Sequence, residues 1–275
     1  MRILLATPYL SQHYDSGHFW VAALCRLGHS VILWDYRLER EPPKTDYELA
    51  LVLKGEQVNP SVLRRPRFCY WPDNFARTQG VERLLSGYDR VFTPVFPTPP
   101  GYIWLPTGYD SLLHKDLHTW RQFETLYIGT NNSSEKLEKV RFLRPSVVAG
   151  NAWENEKTLN RYPPLYLHDF VRMANRATIA LDIHQGDVGV NRKLFELVPC
   201  AFTLVDRVPG IEEIFGRITP MVSFESIGQA KEMIDYYLYN PIMRESIWQE
   251  EQTKIEPFSY EKAVSTVLSY LKLLV

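Results

Sequence analysis

The chain has 275 residues, enough for one large domain or two smaller ones that each bury a hydrophobic core. Its 31 Lys and Arg residues balance 32 Asp and Glu residues, so the formal net charge is −1. This balance excludes a generally polybasic nucleic-acid binder, although it does not exclude a local basic groove. Hydrophobic residues make up 45% and charged residues 23%, a composition that excludes a disordered chain.

The N-terminal half alternates short apolar runs with helical and polar stretches. The run Arg2–Ala6, a helical pattern over Gly17–Leu27 that ends at Gly28, and the run Ser30–Trp34 predict a β-α-β unit with parallel strands. Further strands are predicted at Leu49–Leu53, Phe68–Trp71, Arg90–Thr93 and Tyr102–Leu105. A weaker helical pattern covers Ala76–Leu85, and the Pro-rich stretch 93–101 predicts irregular structure.

A second series of units begins near Glu124. Strands are predicted at Leu126–Gly129, Ser146–Ala149, Thr178–Ile183, Ala201–Val205 and Met221–Phe224. Helices are predicted at Ser134–Leu143, Leu165–Asn175, Asn191–Val198, Ile211–Phe215, Ile227–Leu238, Ile242–Glu251 and Tyr260–Leu273. Two successive α/β halves predict two doubly wound domains that meet between His114 and Glu124, with ligands at the carboxyl ends of the strands.

The cysteines and the N-terminus indicate the compartment. Cys25, Cys69 and Cys200 lie far apart and form no Cys-x-x-Cys pair, which supports neither a disulfide framework nor a zinc site. Pro8 interrupts the first apolar run too early for a signal peptide, and no run approaches the ~20 apolar residues of a membrane span. We therefore expect a soluble, cytoplasmic protein without a membrane span.

The segment 191–215 combines four features that suit a nucleotide. Glu196 lies one turn into a predicted helix, where its carboxylate could accept hydrogen bonds from two ribose hydroxyls. Arg192, four residues earlier, could reach a diphosphate. A strand follows, and Gly210 then opens a helix whose free N–H groups suit a phosphate. The alternative reading from spacing alone is an amphipathic helix with a solvated charged face.

The order of these motifs resembles that in GT-B glycosyltransferases. Asn-Arg-x-x-Phe-Glu at 191–196, a strand ending in Asp206, and Gly-x-Glu-Glu-x-Phe at 210–215 are similar to the donor-binding half of spore-maturation-type (group 1-like) enzymes. They resemble phage DNA β-glucosyltransferases more distantly. Tyr-Trp-Pro-Asp at 70–73 and Tyr-Asp-Arg-Val-Phe-Thr at 88–93 extend the resemblance over nearly the whole chain. Each motif is loose, and their common order carries the resemblance.

The resemblance implies an α/β fold of the GT-B type. Two Rossmann-like domains would face each other across a cleft, and a C-terminal helix would pack back toward the N-terminal domain. We expect an acceptor-side domain over 1–118, a donor-binding domain over 119–257 and a crossover helix over 258–275. The implied reaction transfers a hexose or pentose from a nucleotide sugar, UDP-linked in preference, to a hydroxyl acceptor, with no metal or other cofactor.

The resemblance also implies roles in donor binding. Glu196 matches the ribose-binding Glu, Arg192 with its neighbour Asn191 matches the Arg near the diphosphate, and Gly210-Ile211 matches the loop whose backbone approaches the phosphates.

Two positions depart from the family pattern. Lys136 stands where these families place a basic phosphate ligand, for which Arg is usual. The second Glu of the retaining pattern would stand eight residues before Glu196, where this chain has Val188, with Asp187 beside it. This absence favours inversion slightly.

Asp73 is the candidate general base. It follows the predicted strand Phe68–Trp71, so it should lie at the carboxyl end of the sheet, where it resembles in placement the catalytic Asp of DNA β-glucosyltransferases. An inverting transfer needs one base to take the proton of the acceptor hydroxyl. The alternative is that Asp73 caps the following helix.

Loop residues complete the predicted site. His18 is a second candidate catalytic residue that could hydrogen-bond a donor phosphate or the acceptor, and Gly17 would let backbone approach the donor. His184, after a predicted strand, should contact the donor, although a structural role is the alternative for either histidine. The predicted acceptor-binding residues are Asp15, Trp71 and Arg77.

The acceptor stays open: a small molecule, a polysaccharide, a protein or modified DNA. Arg64, Arg65 and Arg67, near several aromatic residues, could hold an anionic acceptor, or they form a solvated loop. Two further functions fit the same fold: glycosylation of hydroxymethylated DNA bases, and nucleotide-sugar binding without catalysis. An epimerase or phosphorylase would need groups that the sequence does not reveal, and no Walker A or Gly-x-Gly-x-x-Gly motif supports an ATPase or a dehydrogenase.

Overall fold

The computed structural model describes residues 1–8, 16–73, 75, 78–106, 108–184 and 189–273. It divides into two compact units. Unit 1 comprises Met1–Asp110 together with Phe258–Val275, and unit 2 is the continuous segment Ser111–Pro257. The chain thus passes from unit 1 to unit 2 at Asp110–Ser111, whereas the sequence suggested 118–119.

Unit 1 is built on a parallel sheet with the strand order β2-β1-β3-β4-β5-β6. Its strands are β1 (Arg2–Thr7), β2 (Ser30–Asp35), β3 (Leu49–Leu53), β4 (Arg67–Tyr70), β5 (Arg90–Thr93) and β6 (Ile103–Trp104). Helices α1 (Gly17–Arg26) and α2 (Val81–Leu85) lie between them in the sequence. Every residue of β3 is buried, because a central parallel strand is covered on both faces, and this explains its uninterrupted apolar run.

Unit 2 is built on a second parallel sheet with the order β12-β11-β10-β7-β8-β9. Its strands are β7 (Phe123–Ile128), β8 (Val147–Ala149), β9 (Arg161–Tyr162), β10 (Ala177–Asp182), β11 (Phe202–Asp206) and β12 (Ser223–Phe224). Its helices are α3 (Ser134–Leu143), α4 (Leu167–Asn175), α5 (Arg192–Leu197), α6 (Ile211–Phe215), α7 (Thr219–Val222), α8 (Ile227–Tyr239) and α9 (Pro241–Ile255). The predicted α/β class with parallel sheets is confirmed.

The last helix, α10 (Tyr260–Leu271), returns to unit 1 and packs on α1. The ring of Tyr260 stacks on Phe19 with a centroid distance of 5.3 Å and meets Trp20 edge-on at 5.9 Å. A Cβ atom at Gly108 would lie 2.1 Å from the carbonyl oxygen of Phe258, so glycine is required where the returning segment rejoins the first one.

Three local differences separate the predicted elements from the observed ones. The predicted strand Met221–Phe224 is wrong in its first half, because Pro220 occupies the first turn of α7 and only Ser223–Phe224 is extended. Of the helix predicted over Ala76–Leu85, the structure describes α2 at Val81–Leu85 with Gly80 at its N-cap, and Ala76 and Arg77 lie outside the described residues. The two-residue strand β9 has no sequence signal of its own.

Side-chain caps fix the start of the two helices that matter most for the site. Ser133 accepts a hydrogen bond from the N–H of Lys136 at 3.2 Å, and Asn191 accepts one from the N–H of Leu194 at 3.3 Å. These caps place Lys136 in the first turn of α3 and Arg192 at the first position of α5. Within the described ranges, no helix is both long and apolar enough to cross a membrane.

A buried acid lies between α9 and β11. Glu251 is fully buried, and its Oε2 accepts a hydrogen bond from the N–H of Thr203 at 3.2 Å. Its Oε1 has no hydrogen-bond partner among the described residues. Burial raises the pKa of Glu251 well above the ordinary value of 4.5, and the Thr203 hydrogen bond opposes this only in part.

Glu251 should make stability depend on pH. The folded chain keeps this proton at pH values where the unfolded chain releases it, so the contribution is fully present below pH 4.5 and is lost as pH rises toward the folded pKa. Glu251→Gln removes the titration. We therefore expect its unfolding free energy, relative to that of the unmodified chain, to increase from pH 5 to pH 8, by at most about 1.4 kcal/mol per pH unit. Urea unfolding at several pH values measures this difference.

The neighbouring residue offers a matched control. Glu250 pairs with Arg217 at 3.0 Å, and its side chain is 27% exposed. The unfolding free energy of Glu250→Gln should differ from that of the unmodified chain by the same amount at every pH. If Glu251→Gln followed the unmodified chain at every pH, the raised pKa would be contradicted.

Candidate functional site

The polar groups of unit 2 concentrate at the carboxyl ends of two neighbouring strands. β10 ends at Asp182 and β11 ends at Asp206, and the two strands pair in parallel with Asp182 opposite Val205. Because parallel strands end at the same edge of a sheet, both carboxylates lie at the edge where α/β folds bind ligands. Asp182 is fully buried and Asp206 is 8% exposed.

His184 links Asp206 to the start of α5. Its Nδ1 lies 2.7 Å from Asp206 Oδ1, and its main-chain N–H donates to the same carboxylate at 2.9 Å. Its Nε2 accepts a hydrogen bond from the N–H of Asn191 at 3.1 Å. These contacts require the proton on Nδ1 and the lone pair on Nε2. Both ring nitrogens are engaged and 2% of the side chain is exposed, so His184 supports the start of α5. The donor contact expected of it stays a prediction.

Asp206 stays ionised in this setting. Burial alone would raise the pKa of the Asp206 carboxyl, but the hydrogen bonds from His184 and the charge of Lys139 lower it overall. The Lys139 ammonium lies 3.4 Å from Asp206 Oδ2 and 2.8 Å from Glu135. A small cavity of about 110 Å³ opens here, with Lys139, His184 and Asp206 among its lining residues.

Asp182 forms a second buried pair beside the first. Its Oδ1 accepts hydrogen bonds from Lys193 Nζ at 2.9 Å and from Asn191 Nδ2 at 3.2 Å. Burial alone lowers the pKa of Lys193, but the attraction of Asp182 raises it overall, so the ammonium is charged. Lys193 Nζ also lies 5.0 Å from the centre of the Tyr127 ring. The pair therefore fixes the first turn of α5 to the end of β10.

Lys136 brings a further cation to this edge. It is 8% exposed, and its Nζ donates to Asn132 Oδ1 at 3.0 Å. Burial, reinforced by repulsion from Lys193, lowers the pKa of Lys136 to about 8. A buried ammonium of this kind gains most from a ligand that brings negative charge.

The predicted pair Arg192 and Glu196 lies together on α5. Arg192 Nε is 2.9 Å from Glu196 Oε1, as the four-residue spacing on a helix allows. Glu196 is 7% exposed, and His114 Nε2 lies 3.9 Å from the same oxygen. The helix thus presents one carboxylate and one guanidinium side by side, next to the lysines of the sheet edge.

The turn predicted at Gly210-Ile211 is present, but the N–H of Ile211 is already hydrogen-bonded within the chain. Gly210 caps α6 at φ 93°, a left-handed conformation that favours glycine. The N–H of Ile211 donates to Val208 O at 3.2 Å, and its side chain is fully buried. Ile211 therefore supports the turn and offers no free group to a ligand in this conformation.

In unit 1, Asp73 follows the carboxyl end of β4. Its side chain is 43% exposed, and its Oδ2 lies 3.1 Å from Lys54 Nζ, which also contacts Glu56 at 3.0 Å. Burial alone lowers the pKa of Lys54, but these two carboxylates raise it overall. α2 begins at Val81 with Gly80 at its N-cap, eight residues after Asp73, and residues 74, 76 and 77 lie outside the described residues.

The remaining predicted residues of unit 1 differ in their exposure. Gly17 is the buried first residue of α1, and His18 follows it with an exposed side chain. Trp71 is fully buried in the core of unit 1, against Phe75, so its ring packs there and has no surface to offer an acceptor. Asp15 and Arg77 lie outside the described residues, as does Asp187.

The basic cluster of unit 1 is engaged by partners within that unit. Arg64 pairs with Asp46, and Arg65 pairs with Asp89 at 2.8 Å. Arg67 donates from Nε to the carbonyl oxygen of Gly87 at 2.7 Å. Since these arginines contact groups of unit 1, they favour the alternative of a solvated loop over an open cationic face for an anionic acceptor.

Sequence reasoning gave no role to four members of the site: Asp182, Asp206, Lys193 and Lys139. The available signal was an acid as the last residue of each of two consecutive apolar strands, since such ends meet at the ligand-binding edge. No group of three or more His, Cys, Asp or Glu side chains with the spacing of a metal site occurs in the described part of the chain.

Comparison with known proteins identifies the fold. A profile of the family described as Glycosyl transferase-like matches residues 132–269, half of the chain. No curated protein matches the sequence. The solved structures that resemble it include three glycosyltransferase or UDP-bound proteins with identities of 11–12%, which establish a shared fold.

HepE of Anabaena, solved in complex with UDP, has a TM-score of 0.70 at 11% identity, with 99% of this chain and 100% of that chain covered. AviGT4, a glycosyltransferase of avilamycin A biosynthesis, has a TM-score of 0.67 at 12% identity and coverages of 100% and 98%. The β-glucosyltransferase of T4 phage has a TM-score of 0.64 at 12% identity, with 96% of each chain covered. The T4 enzyme has also been solved with UDP-glucose, and with UDP and Mn²⁺.

Proposed function

The chain belongs to the glycosyl transferase-like family and is a glycosyltransferase of the GT-B type, and from this premise we propose that it transfers a sugar from a UDP-sugar to a hydroxyl acceptor. The observation that carries the proposal is the pairing of Arg192 and Glu196 on α5, the helix whose Lys193 pairs with Asp182 at the sheet edge. The UDP and UDP-glucose complexes of the neighbours favour uridine as the nucleotide.

The α5 residues supply both halves of nucleotide recognition. The Glu196 carboxylate accepts hydrogen bonds from the ribose hydroxyls, and it is oriented by Arg192 at 2.9 Å. When the donor binds, Arg192 keeps part of its contact with Glu196 and turns its remaining N–H groups to the diphosphate. The turn at Gly210 brings backbone close to the phosphates.

Cationic side chains stabilise the leaving diphosphate. Transfer breaks the bond between the sugar and the diphosphate, and negative charge accumulates on the departing oxygen. Lys136 and Arg192 provide positive charge at the sheet edge, and the low exposure of Lys136 strengthens its effect. We propose that these side chains perform the role without a metal ion.

Asp73 is the proposed general base in unit 1. Lys54 Nζ lies 3.1 Å from its Oδ2 and orients the carboxylate that would take the proton of the acceptor hydroxyl. His18, exposed in the first turn of α1, is the proposed second polar contact for the reacting groups. Asp15 and Arg77 remain proposed acceptor contacts on sequence grounds alone.

Modified DNA is the second candidate acceptor, because the T4 neighbour is a DNA-modifying enzyme. The pairing of Arg64 and Arg65 with acidic partners favours a smaller or neutral hydroxyl acceptor instead. A test of the function incubates the protein with UDP-sugars and a panel of glycosides, hydroxyl-bearing peptides and hydroxymethylcytosine DNA. UDP release with a matching mass increase of one acceptor supports transfer. Tight UDP binding without turnover on any pair would favour a non-catalytic binding protein.

Glu196→Ala tests the ribose assignment. Hydrogen bonds to a charged group contribute about 1.5–3 kcal/mol, so we expect UDP affinity to fall roughly 10- to 100-fold. The unmodified protein should bind UDP more tightly than 2′-deoxy-UDP, and this preference should vanish in the variant. Calorimetric titration measures both ligands.

Glu232→Ala, which removes an exposed acid on α8, serves as the matched control and should keep the preference. A preference for ribose that survived in Glu196→Ala would refute the assignment.

Lys136 should make donor binding depend on pH above neutrality. Its pKa of about 8 means that it loses its charge as pH rises through that value, so UDP affinity should fall roughly tenfold between pH 7 and pH 9.5. Lys136→Arg should keep its affinity over the same range, since a guanidinium stays protonated. Lys136→Met should bind weakly without the pH step.

Lys231→Met, at an exposed ion pair on α8, should show the same pH profile as the unmodified protein. An identical profile in Lys136→Met would rule Lys136 out as a phosphate contact.

Asp73→Asn separates catalysis from donor binding. General-base catalysis contributes about 10²–10⁴-fold, so transfer should fall by at least about 100-fold while UDP affinity is unchanged. Asp46→Asn removes another acid of unit 1 that is also paired with a cation, and it should retain transfer. Full transfer by Asp73→Asn would show that the base is another group.

A further inference from the structure

The structure assigns Asp206 a positioning role in donor binding: through the tautomer of His184, it holds the first turn of α5. This inference rests on the proposed function, because its consequence is measured as affinity for UDP. Asp206 lies at the end of β11, and α5 carries the two residues proposed to contact the donor. The connection between them runs through one imidazole ring.

The hydrogen-bond contacts of His184 favour one arrangement of protons. The Asp206 carboxylate accepts from the main-chain N–H of His184 and from Nδ1–H at 2.7 Å. Nε2 therefore carries a lone pair, and the N–H of Asn191 donates to it at 3.1 Å. If Nε2 carried the proton, its N–H would face the N–H of Asn191, and neither donor would have an acceptor. The ionised carboxylate of Asp206 thus keeps the proton on Nδ1 and leaves Nε2 as the acceptor for the N–H of Asn191, at the start of α5.

Asn191 holds α5 by three contacts in all. Its N–H reaches His184, its Nδ2 reaches Asp182 at 3.2 Å, and its Oδ1 caps the N–H of Leu194 at 3.3 Å. Arg192 follows directly and Glu196 lies one turn later. A shift at Asn191 therefore moves both proposed donor contacts, whereas the cap and the Asp182 contact keep the helix formed.

Asp206→Asn isolates this effect because it keeps the shape. The amide oxygen still accepts from the main-chain N–H of His184, but the amide nitrogen now donates to Nδ1 and forces the proton onto Nε2. The variant should bind UDP about tenfold more weakly. The amide of Asn191 should also exchange its hydrogen faster, read by hydrogen–deuterium exchange on the peptide that contains residues 189–197.

A pair of histidine variants distinguishes positioning from general structural support. His184→Gln can place an amide oxygen near the position of Nε2, where it accepts from the N–H of Asn191 without help from Asp206. His184→Asn keeps a polar group only near the position of Nδ1. We expect His184→Asn to reproduce the loss of affinity and of protection, and His184→Gln to retain most of both. Asp206→Asn should then cost little in the His184→Gln background.

Asp206→Asn and His184→Gln form a double-mutant cycle. The decisive result is that their losses of UDP affinity do not add. An equal loss in both backgrounds would show that Asp206 acts through Lys139 or through the fold, and it would overturn the inference. Unchanged affinity and exchange in Asp206→Asn would overturn it as well. Asp235→Asn, an exposed acid on α8, should alter neither readout.

The outcomes separate this inference from the proposed function. If the unmodified protein bound no UDP, the proposed function would fail, and the exchange of the Asn191 amide would still decide the role of Asp206. If Glu196→Ala lost affinity while Asp206→Asn did not, the donor site would stand without the positioning role. Should Asp206→Asn fail to fold, folding and UDP binding by the same substitution in the His184→Gln background would support the inference, and failure in both backgrounds would overturn it.

Discussion

The hydrogen bond between the His184 ring and the Asp206 carboxylate is the interaction on which the candidate donor site depends. It joins the ends of two central strands to the start of α5, and it does so from positions with almost no exposure to solvent. In such surroundings a carboxylate and an imidazole must satisfy each other's hydrogen-bonding capacity, since water cannot replace either partner. The position of Arg192 and Glu196 is therefore decided by groups that need never touch the nucleotide.

The same edge of unit 2 holds more charge than stability alone would favour. Asp182 with Lys193, and Asp206 with Lys139, form ion pairs whose desolvation offsets much of their attraction. Asp182 Oδ2 has no hydrogen-bond partner among the described residues, and the Lys136 pKa is lowered to about 8. Proteins commonly retain such unfavourable arrangements where a ligand completes them. A diphosphate would bring negative charge to Lys136, whose ammonium donates to the neutral amide of Asn132.

Much of the fold follows from local patterns in the sequence. Continuous apolar runs such as Leu49–Leu53 mark buried parallel strands, and the four-residue spacing of Arg192 and Glu196 gives their contact on α5 directly. Long-range facts could not be obtained in this way. A strand buried on both faces shows no alternation, so nothing local indicates that Trp71, just beyond β4, lies in the core. The tautomer of His184 depends on Asp206, twenty-two positions away, and is invisible without the sheet.

The return of α10 to unit 1 has a consequence for how the chain acquires its structure during synthesis. Unit 2 is contiguous and is complete before α10 is made, whereas unit 1 needs a segment encoded beyond it. At about 5–20 residues per second, roughly 10 to 50 seconds pass between the synthesis of Phe19 and Trp20 on α1 and that of Tyr260, which packs on them. Until Tyr260 is made, the Phe19 ring lacks the partner on which it stacks in the folded chain.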